Sequence, residues 1–294
     1  MKFLMKTESS GVSKLKEKFI ENGLLSITLI SVMMIVLIIV FLLSEAIPAF
    51  YQFGLVEIFL NHQWVPDLNL FGIMPMLISS LMVSFLSLIL AIPLSITTAI
   101  YIEELSPLYV KKLFKPIIQT LSGIPSVVYG FFGLTVLVPF IREYIGGDGF
   151  SILAASIVLA IMILPTIITL SQDAIRNVPL EYKQASLGLG ATHFQTISRI
   201  IVPTALPGIF TGIILGFGRA IGETLAVLMV VGNVAQIPSS VLDPVRTLTS
   251  NIALEMAYAM DIHYNMLFVN GVVLFAIIVV LMALTNYIQH KWSC

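Results

Sequence analysis

Six stretches of apolar residues, each about as long as a bilayer is thick, constrain this 294-residue chain more than any other feature. They cover residues 24–43, 70–100, 116–141, 150–170, 205–232 and 266–288. A helix needs about 20 apolar residues to cross the hydrocarbon core. Backbone groups in lipid must be paired within their own segment, which selects helices over strands. The composition agrees. Charged residues make up 11% of the chain and hydrophobic ones 58%, whereas a soluble domain carries about a quarter charged residues. The expected fold class is an all-α membrane protein with six transmembrane helices. The second, third and fifth stretches exceed the minimum, which allows tilt or an interfacial extension.

Lysine and arginine set the expected orientation. With the N-terminus in the cytoplasm, that side collects Lys2, Lys6, Lys14, Lys16, Lys18, Lys111, Lys112, Lys115, Arg176, Lys183, Arg199 and Lys291. The other side collects only Arg142 and Arg246. Twelve against two is a positive-inside pattern and predicts both termini in the cytoplasm. Residues 1–23 then form a cytoplasmic N-terminal segment and residues 24–290 a six-helix transmembrane domain. The first stretch is of spanning length, and Ser44-Glu45-Ala46 is a poor cleavage site, so it is expected to stay as a membrane helix rather than leave as a signal peptide. The sole cysteine, Cys294, allows no internal disulfide. His62, His193, His263 and His290 lack ligand spacing, so no metal is expected. Neither cofactor nor nucleic acid is expected on this chain.

The orientation puts loop 173–204 in the cytoplasm. Arg176-Asn177-Val178-Pro179 reads as a turn, since Pro179 cannot continue a helix. A helix-forming run over 180–189 follows, then a break at Gly190 and a second helix towards Pro203. Ala185 and Ser186 are small enough to let a partner surface approach closely. The same features also fit an ordinary amphipathic hairpin.

The fifth stretch carries Arg219 and Glu223 behind at least ten mostly apolar or small residues. An arginine at a bilayer centre costs about 3 kcal/mol, so it should face a partner or a watery path. Four residues apart on one helix, the two side chains would share a face about 6 Å apart along the axis. Two readings stand at this point: an ion pair that locks the helix into its bundle, or a guanidinium offered to a tetrahedral oxyanion, with Glu223 orienting it or gating release. Thr224 extends the polar string. Gly208, Gly212, Gly216, Ala220 and Thr224 form a small-residue ladder suited to close helix contact, within the chain or against a second subunit. Residues 243–260 show a modest helical pattern, with Leu248, Ile252, Met256 and Ala259 on one face, which suits an interfacial helix. No nucleophile–base pair marks an intramembrane enzyme, and no Walker motif marks an ATPase, so no catalytic residue is expected.

Resemblance adds to this. Gln184-Ala185-Ser186, three residues, Gly190, nine residues and Ile200-Ile201-Val202-Pro203 resemble the Glu-Ala-Ala loop of ABC-importer permeases. Gln184, Ser186 and Val202 depart from that pattern, and Glu181, one turn earlier, can stand in for the missing glutamate. The string from Gly218 to Met229, GRAIGETLAVLM, is similar to the GRAxGET signature of the PstC family of bacterial phosphate permeases. So are Leu121 to Gly133, LSGIPSVVYGFFG, the string Arg246 to Met256, Trp64-x-Pro66 and Phe71-Gly72-Ile73-Met74-Pro75. Ser79-Ser80-Leu81 departs from a common Gly-Thr-Leu. Leu225-Ala226-Val227 after the GET core favours PstC over its sister PstA.

The resemblance implies a type I ABC-importer permease fold in the bacterial cytoplasmic membrane and transport of phosphate. A scaffold for another oxyanion, such as sulfate or molybdate, is the alternative. It implies a PstA-like second permease subunit, a PstB-like ATPase dimer that uses the ATP, and a PstS-like external phosphate-binding protein. It also implies ATPase docking through Glu181, Gln184, Ala185, Ser186 and Gly190, and a substrate path through Arg219, Glu223 and Thr224. Ser122, Ser126 and Tyr129 are weaker path candidates.

Overall fold

A computed structural model describes the backbone of residues 11–292 and the side chains of residues 18–288. Lys2 and Lys6 lie outside the described residues. Among the described residues six helices are long and apolar enough to cross a membrane: Lys18–Leu60, Met74–Leu105, Ser126–Tyr144, Ile152–Arg176, His193–Ile221 and Asp261–Ile288. Among the described residues the only strands are the short antiparallel pair Trp64–Val65 and Leu70–Phe71.

The first three expected segments have different boundaries. The first helix, α1 (Gly11–Leu60), runs well past residue 43 and kinks at Gly54, whose φ of 71° no ordinary side chain favours. The second, α2 (Met74–Ile100), continues into a π-turn over Tyr101–Leu105. The third expected span is two helices, α3 (Leu108–Gly123) and α4 (Ser126–Phe132). Between them Ile124 is extended (φ −68°, ψ 129°), as a residue before proline prefers to be. Tyr129 crosses this break, its hydroxyl donating to the Leu121 carbonyl at 2.8 Å. Helix α4 runs on through a π-turn into α5 (Val138–Tyr144).

Helix α6 (Ile152–Arg176) forms the centre of the bundle, with two thirds of its apolar window buried. After it come α7 (Leu180–Gly188) and α8 (His193–Thr196). A π-turn then joins α8 to α9 (Val202–Ile221), so the loop feeds directly into the fifth span. That span stops at Ile221. The chain breaks at Gly222–Thr224 and resumes as α10 (Leu225–Val230), so residues 205–232 are not one helix.

The small-residue ladder has a partner inside the chain. A Cβ on Gly208 would lie 2.5 Å from Cβ of Ala174, and one on Gly216 would lie 2.9 Å from Cγ1 of Ile167. Both neighbours belong to α6. Close backbone contact of this kind replaces the hydrophobic drive that lipid removes.

The expected interfacial helix over 243–260 is shorter and turned inward. It is α11 (Leu248–Glu255), capped by Thr247, and its Leu248, Ser250 and Asn251 are fully buried. Polar groups draw it in, because the Leu248 amide donates to Ser80 Oγ of α2 at 2.9 Å. The last helix, α12 (Asp261–Trp292), packs on α1, with Phe41 and Phe268 edge to face at 5.6 Å.

Candidate functional site

Arg219 sits in the last turn of α9, half-buried, three residues before the break. Its Nη1 donates to Thr166 Oγ1 of α6 at 2.9 Å. Tyr129 lies within its electrostatic reach. With Ile214, Leu215 and Gly218 of α9 and Ile278, Leu281 and Met282 of α12 it lines a cavity of about 210 Å³.

Glu223 takes another direction. Among the described residues it makes no ion pair with Arg219, so of the two readings the locking ion pair is the one not seen. The physical reason is the break: α9 ends at Ile221, so the i,i+4 alignment of a continuous helix is lost. Instead Glu223 Oε1 accepts from the Ala226 amide at 3.2 Å in the first turn of α10. Its backbone carbonyl accepts from Thr249 Oγ1 of α11 at 2.8 Å. Thr224 is the residue before α10, and its carbonyl accepts from the Leu228 amide. The three expected path residues therefore share one neighbourhood, with Arg219 on one side of the break and Glu223 and Thr224 within it. Ser122 is turned back on its own helix, donating to the Gln119 carbonyl.

The loop residues form a second cluster. Glu181, Gln184 and Ala185 are exposed on α7, a helix with no buried residue at all. Gly190 ends it with φ +85°. Its amide donates to the Leu187 carbonyl and the Ala191 amide to that of Ser186, a Schellman closure that favours glycine at this position. Thr192 and Gln195 then form a capping box that starts α8. Ser186 Oγ meets Thr196 Oγ1 at 3.0 Å across the turn. Tyr182, Ala185, Ser186, Leu189, Ile200 and Thr204 surround an open groove of about 440 Å³.

Two clusters carried no signal in the sequence. At the end of α2, Glu103 pairs with Arg176 at 2.6 Å and Glu104 with Lys183 at 2.5 Å. At the opposite end of the bundle, buried Glu255 accepts from Arg246 Nη1 at 2.6 Å and from Trp64 Nε1 at 2.8 Å, and meets His263 Nε2 at 2.8 Å. The last contact is a histidine–carboxylate pair that the spacing of the histidines did not suggest. Burial and the Glu255 carboxylate push the nearby Tyr258 phenol above its ordinary value.

Six spanning helices, a loop that leads into the fifth of them and a polar site at that helix's end define a type I ABC-importer permease. The chain belongs to the family of binding-protein-dependent transport system inner membrane components, whose model matches residues 91–293. It is thus a multi-pass permease component and not itself an enzyme. It is 44% identical over 201 residues to a probable ABC transporter permease, YqgH of Bacillus subtilis, covering 67% of this chain and 65% of that relative. The match therefore spans just under two thirds of that relative's length. It is 32% identical over 219 residues to the phosphate transport system permease protein PstC of Mesorhizobium japonicum, covering 67% of each. Among solved structures, it superposes on a bacterial alginate ABC transporter chain, crystallised in complex with its periplasmic protein, with a TM-score of 0.65. That match covers 95% of this chain and 98% of the other at 17% identity, which speaks for the fold alone.

Proposed function

We propose that this chain is one permease half of an ATP-driven phosphate importer and that Arg219 meets the anion on its way through. One observation carries the proposal: among the described residues Arg219 is held by the hydroxyl of Thr166 and makes no ion pair with a carboxylate. A hydroxyl orients a guanidinium without cancelling its charge. A cation left uncompensated in a membrane span is costly unless an anion visits it, and the planar fork matches a tetrahedral oxyanion. The PstC relatives favour phosphate as that anion. Glu223, fixed at the break, supplies the opposing charge that limits how long an anion stays.

The same reading assigns the 173–204 loop to ATPase docking, with Glu181, Gln184, Ala185, Ser186 and Gly190 at the contact, and with the loop and both termini in the cytoplasm. A PstA-like partner completes the path, a PstB-like ATPase dimer uses the ATP, and a PstS-like protein delivers phosphate outside. The continuous course from His193 to Arg219 gives the loop a mechanical route to the site, since 26 residue-to-residue rises of helix span roughly 39 Å.

Uptake of radiolabelled inorganic phosphate, with sulfate and molybdate as competitors, tests the reading. Arg219→Met and Arg219→Lys should both lose uptake while the ATPase still co-purifies, because a point charge cannot reproduce the bidentate fork. Robust uptake by an assembled Arg219→Met complex would return Arg219 to scaffolding. Competition by sulfate or molybdate as strong as by unlabelled phosphate would reassign the solute.

A further inference from the structure

Helix α7 is nine residues long and buries none of them. A helix this short is marginal alone and normally depends on an apolar face. Here only Lys183 and Ser186, one turn apart on its inner side, are partly covered. Lys183 Nζ reaches Glu104 Oε2 at 2.5 Å, and the Ser186 hydroxyl meets Thr196. These two side chains carry the hydrogen bonds of α7 to other elements. One of them ties it to α2, 79 residues away in sequence.

The receiving end is built to hold. The π-turn over Tyr101–Leu105 presents Glu103 and Glu104 side by side, with side chains only 9% and 10% exposed. Glu103 takes Arg176 at the foot of α6, and its backbone carbonyl accepts from Lys111 Nζ of α3 at 2.6 Å. Asp173, at 3.8 Å from Arg176, is the other carboxylate at that junction. Lys111, Arg176 and Lys183 therefore converge on two carboxylates at the end of one helix.

We propose that Glu104 and Lys183 are the positioning pair that fixes the coupling helix against α2 and carries its displacement into the membrane bundle, with Glu103–Arg176 anchoring the same junction to α6. This rests on the reading of α7 as the ATPase contact. Because α7 buries no residue, a push on it reaches the bundle through Lys183–Glu104, through Ser186–Thr196 and through its covalent ends. Partly buried pairs of this kind are sensitive to losing one partner, since the remaining charge stays behind without compensation.

The test is a charge swap in the assembled transporter. Lys183→Glu and Glu104→Lys are made singly and together, and three readouts are taken: ATPase co-purification, stimulation of ATP hydrolysis by the external binding protein, and uptake of inorganic phosphate. Each single variant should keep the ATPase bound yet lose stimulated hydrolysis and uptake, and the double swap should recover both. Singles that behave as the unaltered protein, or a double swap no better than the singles, overturn the tether. If the singles instead release the ATPase, the pair belongs to the docking surface itself and the positioning role is wrong. Failure of the unaltered chain to bind any ATPase would sink the docking reading, a result recognisable before any variant is examined.

Discussion

Alanine at Gly208 and alanine at Gly218 should have opposite effects, although both lie in α9. Exchanging glycine for alanine inside a helix stabilises it intrinsically by about 1 kcal/mol. At Gly218 nothing lies within 4 Å of the new methyl, so that gain should stand. At Gly208 the methyl would sit 2.5 Å from Ala174 Cβ, roughly 1 Å inside the ~3.5–4.0 Å at which carbon atoms rest. Overpacking of this order costs about 1–3 kcal/mol, so the clash should equal or exceed the intrinsic gain and leave Gly208→Ala up to about 2 kcal/mol less stable. Adding Ala174→Gly removes the clashing atom from α6 and costs that helix about 1 kcal/mol of propensity. The double variant should then return close to the unaltered protein, with a coupling energy of about 1–3 kcal/mol between the two positions. Thermal unfolding of the detergent-solubilised chain, followed by helical circular dichroism for all four variants, measures this. If Gly208→Ala is as stable as Gly218→Ala, α6 and α9 do not meet through the glycine ladder.

Three further outcomes are expected. In a Cys294→Ser background, cysteines at His62 and Asp148 should react with an impermeant thiol reagent added outside cells and one at His193 should not; the reverse pattern would overturn the orientation. Gly190→Val should strain a φ of +85° by about 1–2 kcal/mol although no atom crowds the site, and should uncouple ATP hydrolysis from uptake, with Gly190→Asn milder; equal coupling in both would remove the backbone argument. Hydrogen bonds from the Ser240 amide, the Ser239 amide and the Ser239 hydroxyl hold the Asp243 carboxyl below its usual value. Its contribution to loop order is therefore complete above the unfolded-chain value of about 3.9 and lost as pH falls through the lower folded value. Amide exchange at Ser239 and Ser240 should accelerate in that acid range in the unaltered protein, and should already be fast and independent of that titration in Asp243→Asn.

The spans were legible because lipid tolerates only long apolar helices, a demand visible in any window of about 20 residues. Continuity was not. Gly222-Glu223-Thr224 sits among residues as apolar as the rest, so counting hydrophobicity could not see α9 stop, and the ion-pair reading of Arg219 and Glu223, one of two left open, depended on a helix that ends at Ile221. Of the intramembrane charge, position in the chain was readable but partner was not. Thr166 lies 53 residues from Arg219, and no local pattern links them. The loop shows the same division: Gly190 announces itself by type, whereas the Thr192–Gln195 capping box was passed over and Lys183 finds Glu104 only through the fold. Glu255 was hidden for a further reason. A carboxylate buried beside Arg246, Trp64 and His263 looks, in sequence, like any residue of a polar external loop.

Helix α1 has a consequence for how the chain can change over time. None of its most apolar window is buried within the chain, in contrast to two thirds for α6, so in a bilayer that window would be open to acyl chains wherever no second subunit covers it. Acyl chains discriminate oily from polar but not leucine from isoleucine, and on insertion scales such residues differ by only a few tenths of a kcal/mol. Residues 24–40 are therefore nearly interchangeable among apolar types, provided the stretch stays greasy and long enough. Its informative positions crowd near Phe41, Leu42, Ala46 and Ala49, where Phe268, Gly271 and the packed end of the bundle read them. The 24–40 stretch is free to drift, while the positions around Leu42, Ala46 and Ala49 are held to a template.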